Sequence, residues 1–313
     1  MKYSEDHRKL VKVASLYYQE GWTQAEIAKK MQISRPMISK ILQAAREKGI
    51  VRIYLDDETA HSTELARKIE TRFQLQDVIV APSNDVVDPK QAVAEAAAGY
   101  LLTQLRPQLK IGLTWGTTLA AVINEIPFQN YPDMQVCPLV GGVSSEHLYY
   151  DTNHLTFRLA ERLQADCHYF YAPALAESQI LADTLRSSQM LQRAMKAAKS
   201  VDLALIGLGN PLANSTWQTL GYWQDPSDFA DKGIVGDVAA SLFDKNGQTV
   251  NNEISQRMLG LKVEELTEIP QVVVVASGKN KADSLWPLLV AQRCTTIVID
   301  EALAEEIVKK AGR

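Results

Sequence analysis

The sequence predicts an α/β protein in two parts: a winged helix-turn-helix head over residues 1–55 and a Rossmann-like parallel-sheet body over residues 56–313. Three observations predict it. The first fifty residues carry three short helical periodicities punctuated by Gly21 and Gly49. From about residue 64 onward, short apolar runs alternate with amphipathic stretches, the mark of a sheet covered on both faces. The charge also breaks between the parts, with +6 over residues 1–52 and −10 over the remainder. A basic head on an acidic body points to a polyanion as the head's partner.

The first helix runs roughly from Glu5 to Glu20, with Leu10, Val13, Ala14, Leu16 and Tyr17 on one apolar face. Gly21 ends it at a position that favours a left-handed backbone. Thr23-Gln24-Ala25-Glu26 is a capping box that opens a second helix to about Met31, with Ile27 and Ala28 inward. A tight turn, "QIS", follows. Ser34 is placed as the cap of a third helix, Pro36 sits in its first turn, and Ile38, Ile41 and Leu42 face inward. Two short helices about a tight turn form the unit whose second helix enters the DNA major groove. Arg35, Ser39, Lys40 and Gln43 lie on the face away from the core and suit base edges, beside Ser34 at the helix start. Thr23, Gln24 and Lys29 suit phosphate contacts. After Gly49, "IVRIYL" alternates as a strand and is read as a wing.

Beyond a polar joint, "DDETAHST", the helix "ELARKIETRF" leads to the strand "DVIVA". Asp88-Pro89 opens a long helix through Leu105, with Asp88 as cap and Pro89 at the first position. Further strands are read at "KIGLTW", "QVCPLV", "HYFYA", "VDLALIGL", "QVVVVAS" and "TIVID". Helices are expected near 153–164, 186–199, 281–292 and 301–311.

In parallel sheets ligands gather at the carboxyl ends of the strands. Those ends carry Gly116-Thr117-Thr118, Gly141-Gly142 followed by Ser144 and Ser145, and Gly207-Leu208-Gly209. They also carry Gly236-Asp237 before a helix-like "VAASLF", and "SGKNKAD" with Lys279 and Lys281. Hydroxyls, free amides and a lysine suit a phosphate, whereas an aspartate suits sugar hydroxyls. Together these loops point to a small anionic polyol. The "GLG" lacks the third glycine of a dinucleotide fingerprint, and no Walker sequence is present, so no nucleotide cofactor is expected.

The five histidines (His7, His61, His147, His154, His168) show no metal-ligand spacing, and no metal is expected. His147 stands nearest the strand-end loops, and His154 reads as a surface or packing residue. No catalytic residue is assigned. The apolar runs are too short to cross a bilayer, and three isolated cysteines (Cys137, Cys167, Cys294) suit a reducing cytoplasm.

"LYYQEGWTQAEIAKKMQISRPMISKIL", "WGTT", "LVGG", "IGLG", "VGD" with "FDKNG", and "SGKNKA" before "TIVID" resemble the SorC family of bacterial transcriptional regulators in order and spacing. The resemblance covers essentially the whole chain. It implies an effector domain folded like sugar-phosphate isomerases and deaminases, a homotetramer, and control of a carbohydrate operon by a sugar or sugar phosphate. It also implies that Thr117, Thr118 and Lys281 hold a phosphate and that Asp237 holds sugar hydroxyls. Ser277 replaces a glycine common in related sequences, and Val140 stands where some place a lysine. The rival with the same fold and pocket is a sugar-phosphate isomerase or deaminase fused to a DNA-binding head.

Overall fold

A computed structural model describes residues 5–51, 59–82, 88–143, 149–211, 217, 232–239 and 241–312. The chain forms two compact units, Met1–Asp57 and Glu58–Arg313.

The first unit holds α1 (Glu5–Tyr18), α2 (Gln24–Met31) and α3 (Arg35–Glu47). Leu10, Val13 and Leu16 of α1 meet Ile27 of α2 and Ile38, Ile41 and Leu42 of α3 in one apolar core. Gly21 has φ 71°, which ends α1 where a side chain would be strained. The capping box is complete: the Thr23 hydroxyl accepts from Glu26 N, and the Glu26 carboxylate accepts from Thr23 N. Gln32 turns the chain between α2 and α3 through a left-handed backbone. Ser34 occupies the cap position of α3, but its side chain makes no capping bond. Most of the expected wing, residues 52–55, lies outside the described residues, whereas Ile50 and Val51 pack on the head's core.

The second unit is built on a seven-stranded sheet in which every pairing is parallel. Its strands are β1 (Asp77–Ala81), β2 (Lys110–Leu113), β3 (Gln135–Pro138), β4 (Asp166–Cys167), β5 (Leu203–Gly207), β8 (Gln271–Ala276) and β9 (Thr296–Asp300). A separate antiparallel hairpin joins β6 (Ile234–Val238) to β7 (Ser241–Asp244). The sheet order β1-β9-β8-β5-β2-β3-β4 reverses its progression between β2 and β5, which makes that crevice the topological switch point.

Side chains alternate between two apolar layers, as the strand period requires. Val272, Val274, Ile297 and Ile299 join one layer, with residues of α4 (Ala60–Phe73) and α12 (Glu301–Ala311). Val273, Val275 and Val298 join the other, with residues of α5 (Pro89–Gln104), α6 (Thr117–Glu125) and α7 (Thr152–Leu163). On the first side the last helix is stitched to the entry helix: Ser62 Oγ donates to Glu301 at 2.6 Å, and His61 meets Glu305 at 3.0 Å.

Four expectations are corrected. The described residues of "VAASLF" are not helical: Val238 ends β6, Ala239 has a left-handed backbone, and Ser241 opens β7. The fourth strand is Asp166–Cys167 and not "HYFYA", because Phe170 turns fully inward and its N–H is taken by Asn153. The expected helix at 186–199 is two, α8 (Gln179–Ser187) and α9 (Gln189–Lys199), since Ser188 ends one and caps the next. Asp88 occupies the cap position of α5 without a side-chain capping bond. A short helix, α10 (Glu253–Arg257), precedes α11 (Ala282–Val290), which follows a 3-10 turn at Lys279–Lys281.

Candidate functional site

A cavity of about 250 Å³ opens at the carboxyl ends of β2, β5 and β8, beside the switch point. After β2 the chain passes Thr114 and Trp115 to Gly116, whose φ of 130° suits glycine alone, and α6 starts at Thr117. The free N–H groups and positive dipole end of α6 therefore border the cavity. Thr114 Oγ1 accepts from Gly207 N at 3.2 Å and ties the β2 loop to β5.

After β5, Gly209 exchanges backbone hydrogen bonds with Asp237 in both directions, at 2.9 and 3.2 Å. The hairpin strand β6 is thereby laid against the loop, and its Asp237 side chain is delivered to the cavity wall. A Cβ built on Gly209 would fall 1.8 Å from Asp237 Oδ1, so the carboxylate occupies the space that any other residue at 209 would need. After β8, the Gly278 N–H is held by the Asp300 carboxylate, whose other oxygen accepts from Leu303 N and caps α12. Asn210 reaches across to donate to the Asn280 carbonyl at 2.6 Å. The loop carrying Lys281 is thus fixed from two sides.

The charges in this cavity are desolvated. Asp237 is 5% exposed, and burial pushes its carboxyl up from the ordinary range, opposed by the Trp217 indole and the Lys281 ammonium. Burial pushes Lys281 down, opposed by Asp237 and reinforced by a second ammonium, Lys90. Lys90, at the start of α5, is itself pushed down by burial and pulled up by Asp88. Its Nζ donates to Thr117 Oγ1 at 2.7 Å. Trp217, fully buried, packs edge-to-face at 5.9 Å on Trp115, which lines the cavity. Asp237 is the one carboxylate lining the cavity among the described residues, and no His or Cys lines it there. That chemistry suits an anion with neighbouring hydroxyls.

Of the residues expected from sequence, Gly116, Thr117, Thr118, Gly207, Gly209, Asp237 and Lys281 meet here. Gly141 and Gly142 do not line the cavity. A Cβ on Gly141 would meet the Pro173 carbonyl oxygen at 2.4 Å, so the close approach this glycine permits is by the chain's own backbone. Gly142 N donates to the Ala172 carbonyl in the same strap. Lys279 is exposed and is not among the lining residues. His147, Ser144 and Ser145 lie outside the described residues. Sequence reading missed Lys90, although a lysine one position after Asp88-Pro89 sits at a helix start that follows a parallel strand. It missed Asn280 and Ser277 as lining residues as well.

In the head, Ser34, Arg35, Ser39, Lys40 and Gln43 are all exposed at the start and outer face of α3, and Lys29 is exposed on α2. Gln43 bonds Glu47 on its own helix at 2.9 Å. Gln24 is half-buried. Thr23 is exposed, and its hydroxyl donates to Glu26 and accepts from Glu26 N, as the capping box requires.

Residues 57–309 match the family described as "Putative sugar-binding domain", and residues 7–48 match sigma-70 region 4. The chain is 28% identical to the sorbitol operon regulator of Klebsiella pneumoniae over 99% of this chain and all of that one. It is 25% identical to the deoxyribonucleoside regulator of Bacillus subtilis over 95% of this chain and 96% of that one. The crystal structure of the full-length Klebsiella sorbitol operon regulator superposes with a TM-score of 0.75 at 27% identity, covering 98% of this chain and 100% of its own. With an end-to-end match of this kind, a helix-turn-helix head and a sugar-binding domain, the chain belongs to the SorC family of sugar-responsive transcriptional regulators.

Proposed function

We propose that residues 1–55 bind operator DNA of a carbohydrate operon and that residues 56–313 sense a sugar or sugar phosphate in the strand-end cavity and carry the oligomer contacts. The observation that carries the effector assignment is the convergence of Thr117, Lys281 and Asp237 on one small cavity. Threonine hydroxyl, helix start and lysine serve an anionic group, while a buried carboxylate serves hydroxyls. In the head, α3 presents Arg35, Ser39 and Lys40 for base edges, and Lys29 with Gln24 serves the phosphates.

A sensor accounts for the cavity better than an enzyme does. General acid–base work on a sugar needs two tuned groups near the reacting carbons. Among the described residues the lining offers one carboxylate and no His or Cys, and in this reading Asp237 and Lys281 are committed to holding the hydroxyls and the anion. The protein acts in the cytoplasm as a homotetramer, which lets paired heads span half-sites separated by helical turns of about 34 Å. Effector binding shifts DNA affinity only as far as it prefers one subunit arrangement over the other.

The test is fluorescence anisotropy of promoter DNA against the full chain, with and without a panel of sugars and sugar phosphates. Turnover of the same compounds is measured in parallel. A compound that changes operator affinity and is recovered unaltered supports the reading. Turnover at enzymatic rates with operator binding indifferent to every compound overturns it.

A further inference from the structure

A second cavity, of about 530 Å³, is lined from α8, α9 and the chain around α10. Among the described residues it shares no lining residue with the strand-end cavity. Its volume falls in the usual range for ligand sites, roughly 300–1,000 Å³. Leu191, Met258 and Leu259 give it a buried apolar lining, with Met195 half-buried beside them. A more polar hollow adjoins it, with Arg186, Thr249, Ser255 and Lys262 common to both. The two form one cleft with an apolar end and a polar end.

The charges of the cleft are unbalanced. Four cations line the first cavity, Arg186, Lys196, Lys199 and Lys262, against the single carboxylate of Glu265. Two of the four are engaged within the protein. Arg186 pairs with Asp183 and donates to the carbonyls of Gln256 and Met258. Lys199 pairs with Glu265, whose other oxygen accepts from Lys262 N. At the polar end Glu264 is held by Thr249, which donates to it from both its N–H and its hydroxyl. The lining carboxylates are thus occupied. Lys196 and Lys262 are exposed and make no ion pair among the described residues. Two uncompensated ammoniums beside an apolar hollow suit an anion with a hydrocarbon body.

Ser255 is an independent pointer to the same occupant. It is 8% exposed, it lines both parts of the cleft, and its hydroxyl has no hydrogen-bond partner among the described residues. Helical hydroxyls ordinarily bond back to the carbonyl four residues earlier, as Thr156 and Thr184 do here. Ser255 does not, and a buried hydroxyl left unpaired costs stability that a ligand oxygen restores. A sugar phosphate is the wrong occupant, since its hydroxyls would meet Leu191, Met195 and Leu259 without partners.

We infer that this cleft is a second ligand site, distinct from the sugar-sensing cavity, and that it takes a small amphipathic carboxylate. Lys196 and Lys262 supply the opposing charge, Ser255 supplies a hydrogen bond, and Leu191, Met195 and Met258 receive the hydrocarbon.

Octanoate is the probe, titrated calorimetrically into the full chain at constant ionic strength with chloride as the balancing ion. Saturable binding is expected, about fifteenfold tighter than that of hexanoate, because each buried CH₂ is worth about fourfold. Lys196→Gln and Lys262→Gln are each expected to weaken it about fivefold, and the double variant Lys196→Glu, Lys262→Glu to abolish it. Both lysines are exposed, and each variant's ligand-free melting temperature reports its fold. Ser255→Ala is expected to weaken octanoate about fivefold while its ligand-free melting temperature stays at or above wild type, where a structural serine would lower it. Lys281→Met, in the other cavity, is expected to leave octanoate affinity unchanged. Octanoate that binds no tighter than hexanoate, or that binds the double glutamate variant like wild type, overturns the inference. A loss of octanoate binding in Lys281→Met places the probe in the sensing cavity and overturns it too. So does a full chain that takes up no octanoate, the result expected were a second copy seated over the cleft.

Discussion

Replacing Gly209 by alanine tests the geometry of the cavity wall with a single methyl group. The added Cβ would lie 1.8 Å from Asp237 Oδ1, 2.3 Å from Cγ and 2.5 Å from Oδ2. Ordinary contact begins near 3.5 Å, so the carboxylate must retreat by about 1.7 Å. Asp237 is fixed by two backbone hydrogen bonds to residue 209 itself, so the retreat distorts the attachment of the hairpin. Overpacking of this kind costs about 1–3 kcal/mol. In a unit of this size that lowers the melting temperature by roughly 2–4 °C per kcal/mol. On the proposed reading, a carboxylate moved that far no longer reaches the hydroxyls of a bound sugar, and effector affinity is expected to fall about 10- to 100-fold.

Gly207→Ala is the matched control. It lines the same cavity, but its Cβ would meet nothing nearer than the Trp115 carbonyl oxygen at 3.5 Å. Neither glycine has a left-handed backbone, so space alone separates them. The assays are thermal unfolding and the effector concentration that half-shifts operator binding. Equal effects at 207 and 209, or a Gly209→Ala protein with wild-type values in both assays, would refute the reasoning. In an Asp237→Ala background the stability cost of Gly209→Ala is expected to vanish, as a double-mutant cycle would show.

Asp237→Asn removes a desolvated charge while keeping the shape. At neutral pH it is expected to stabilise the ligand-free protein by about 1 kcal/mol while weakening the effector, as functional sites trade stability for binding. The sign with pH follows from the raised native pKa. As pH falls through that pKa, the native carboxyl takes a proton before the unfolded chain does, so wild type regains stability from this group and Asp237→Asn does not. Chemical denaturation between neutral pH and mildly acidic pH checks the narrowing gap. Arg35→Ala and Lys40→Ala are expected to cost about 1–3 kcal/mol each in operator affinity and to relax base preference, while Lys29→Ala lowers the salt slope by about one. Competition with mutated operator sites over a salt series measures both. Thr23→Ala should destabilise the head by about 1 kcal/mol through the capping box and leave base preference unchanged, as read by circular dichroism and the same competition.

The head was legible because its signals are local. A capping box, a left-handed Gly21 and a three-four apolar spacing each act within one turn, and all appear in the structure. The strands were legible because a parallel sheet buries both faces and leaves unbroken apolar runs such as "VVVVA". The hairpin was missed because Ala239 adopts a left-handed backbone that nothing in its residue type announces. Gly141 was misassigned for a related reason: a glycine announces a close approach without saying by what, and here it is the carbonyl of Pro173. Lys90 went unseen because its pairing with Thr117 is created by the sheet order, which long-range strand pairing sets. Loops that face one cavity can be recognised singly in sequence, but their meeting cannot.

The Asp300 carboxylate gives the cavity an unexpectedly short route to the beginning of its own unit. One oxygen holds Gly278 in the loop that carries Lys281, and the other starts the helix whose Glu301 accepts from Ser62. Glu301 and Ser62 are 239 positions apart in the chain, and Ser62 lies in α4, the entry helix of the unit. Counted along the chain, loop and entry helix are almost as remote as the unit allows. Counted in bonds, they are near neighbours, and a shift of the loop meets the entry helix after one carboxylate and the residue next to it.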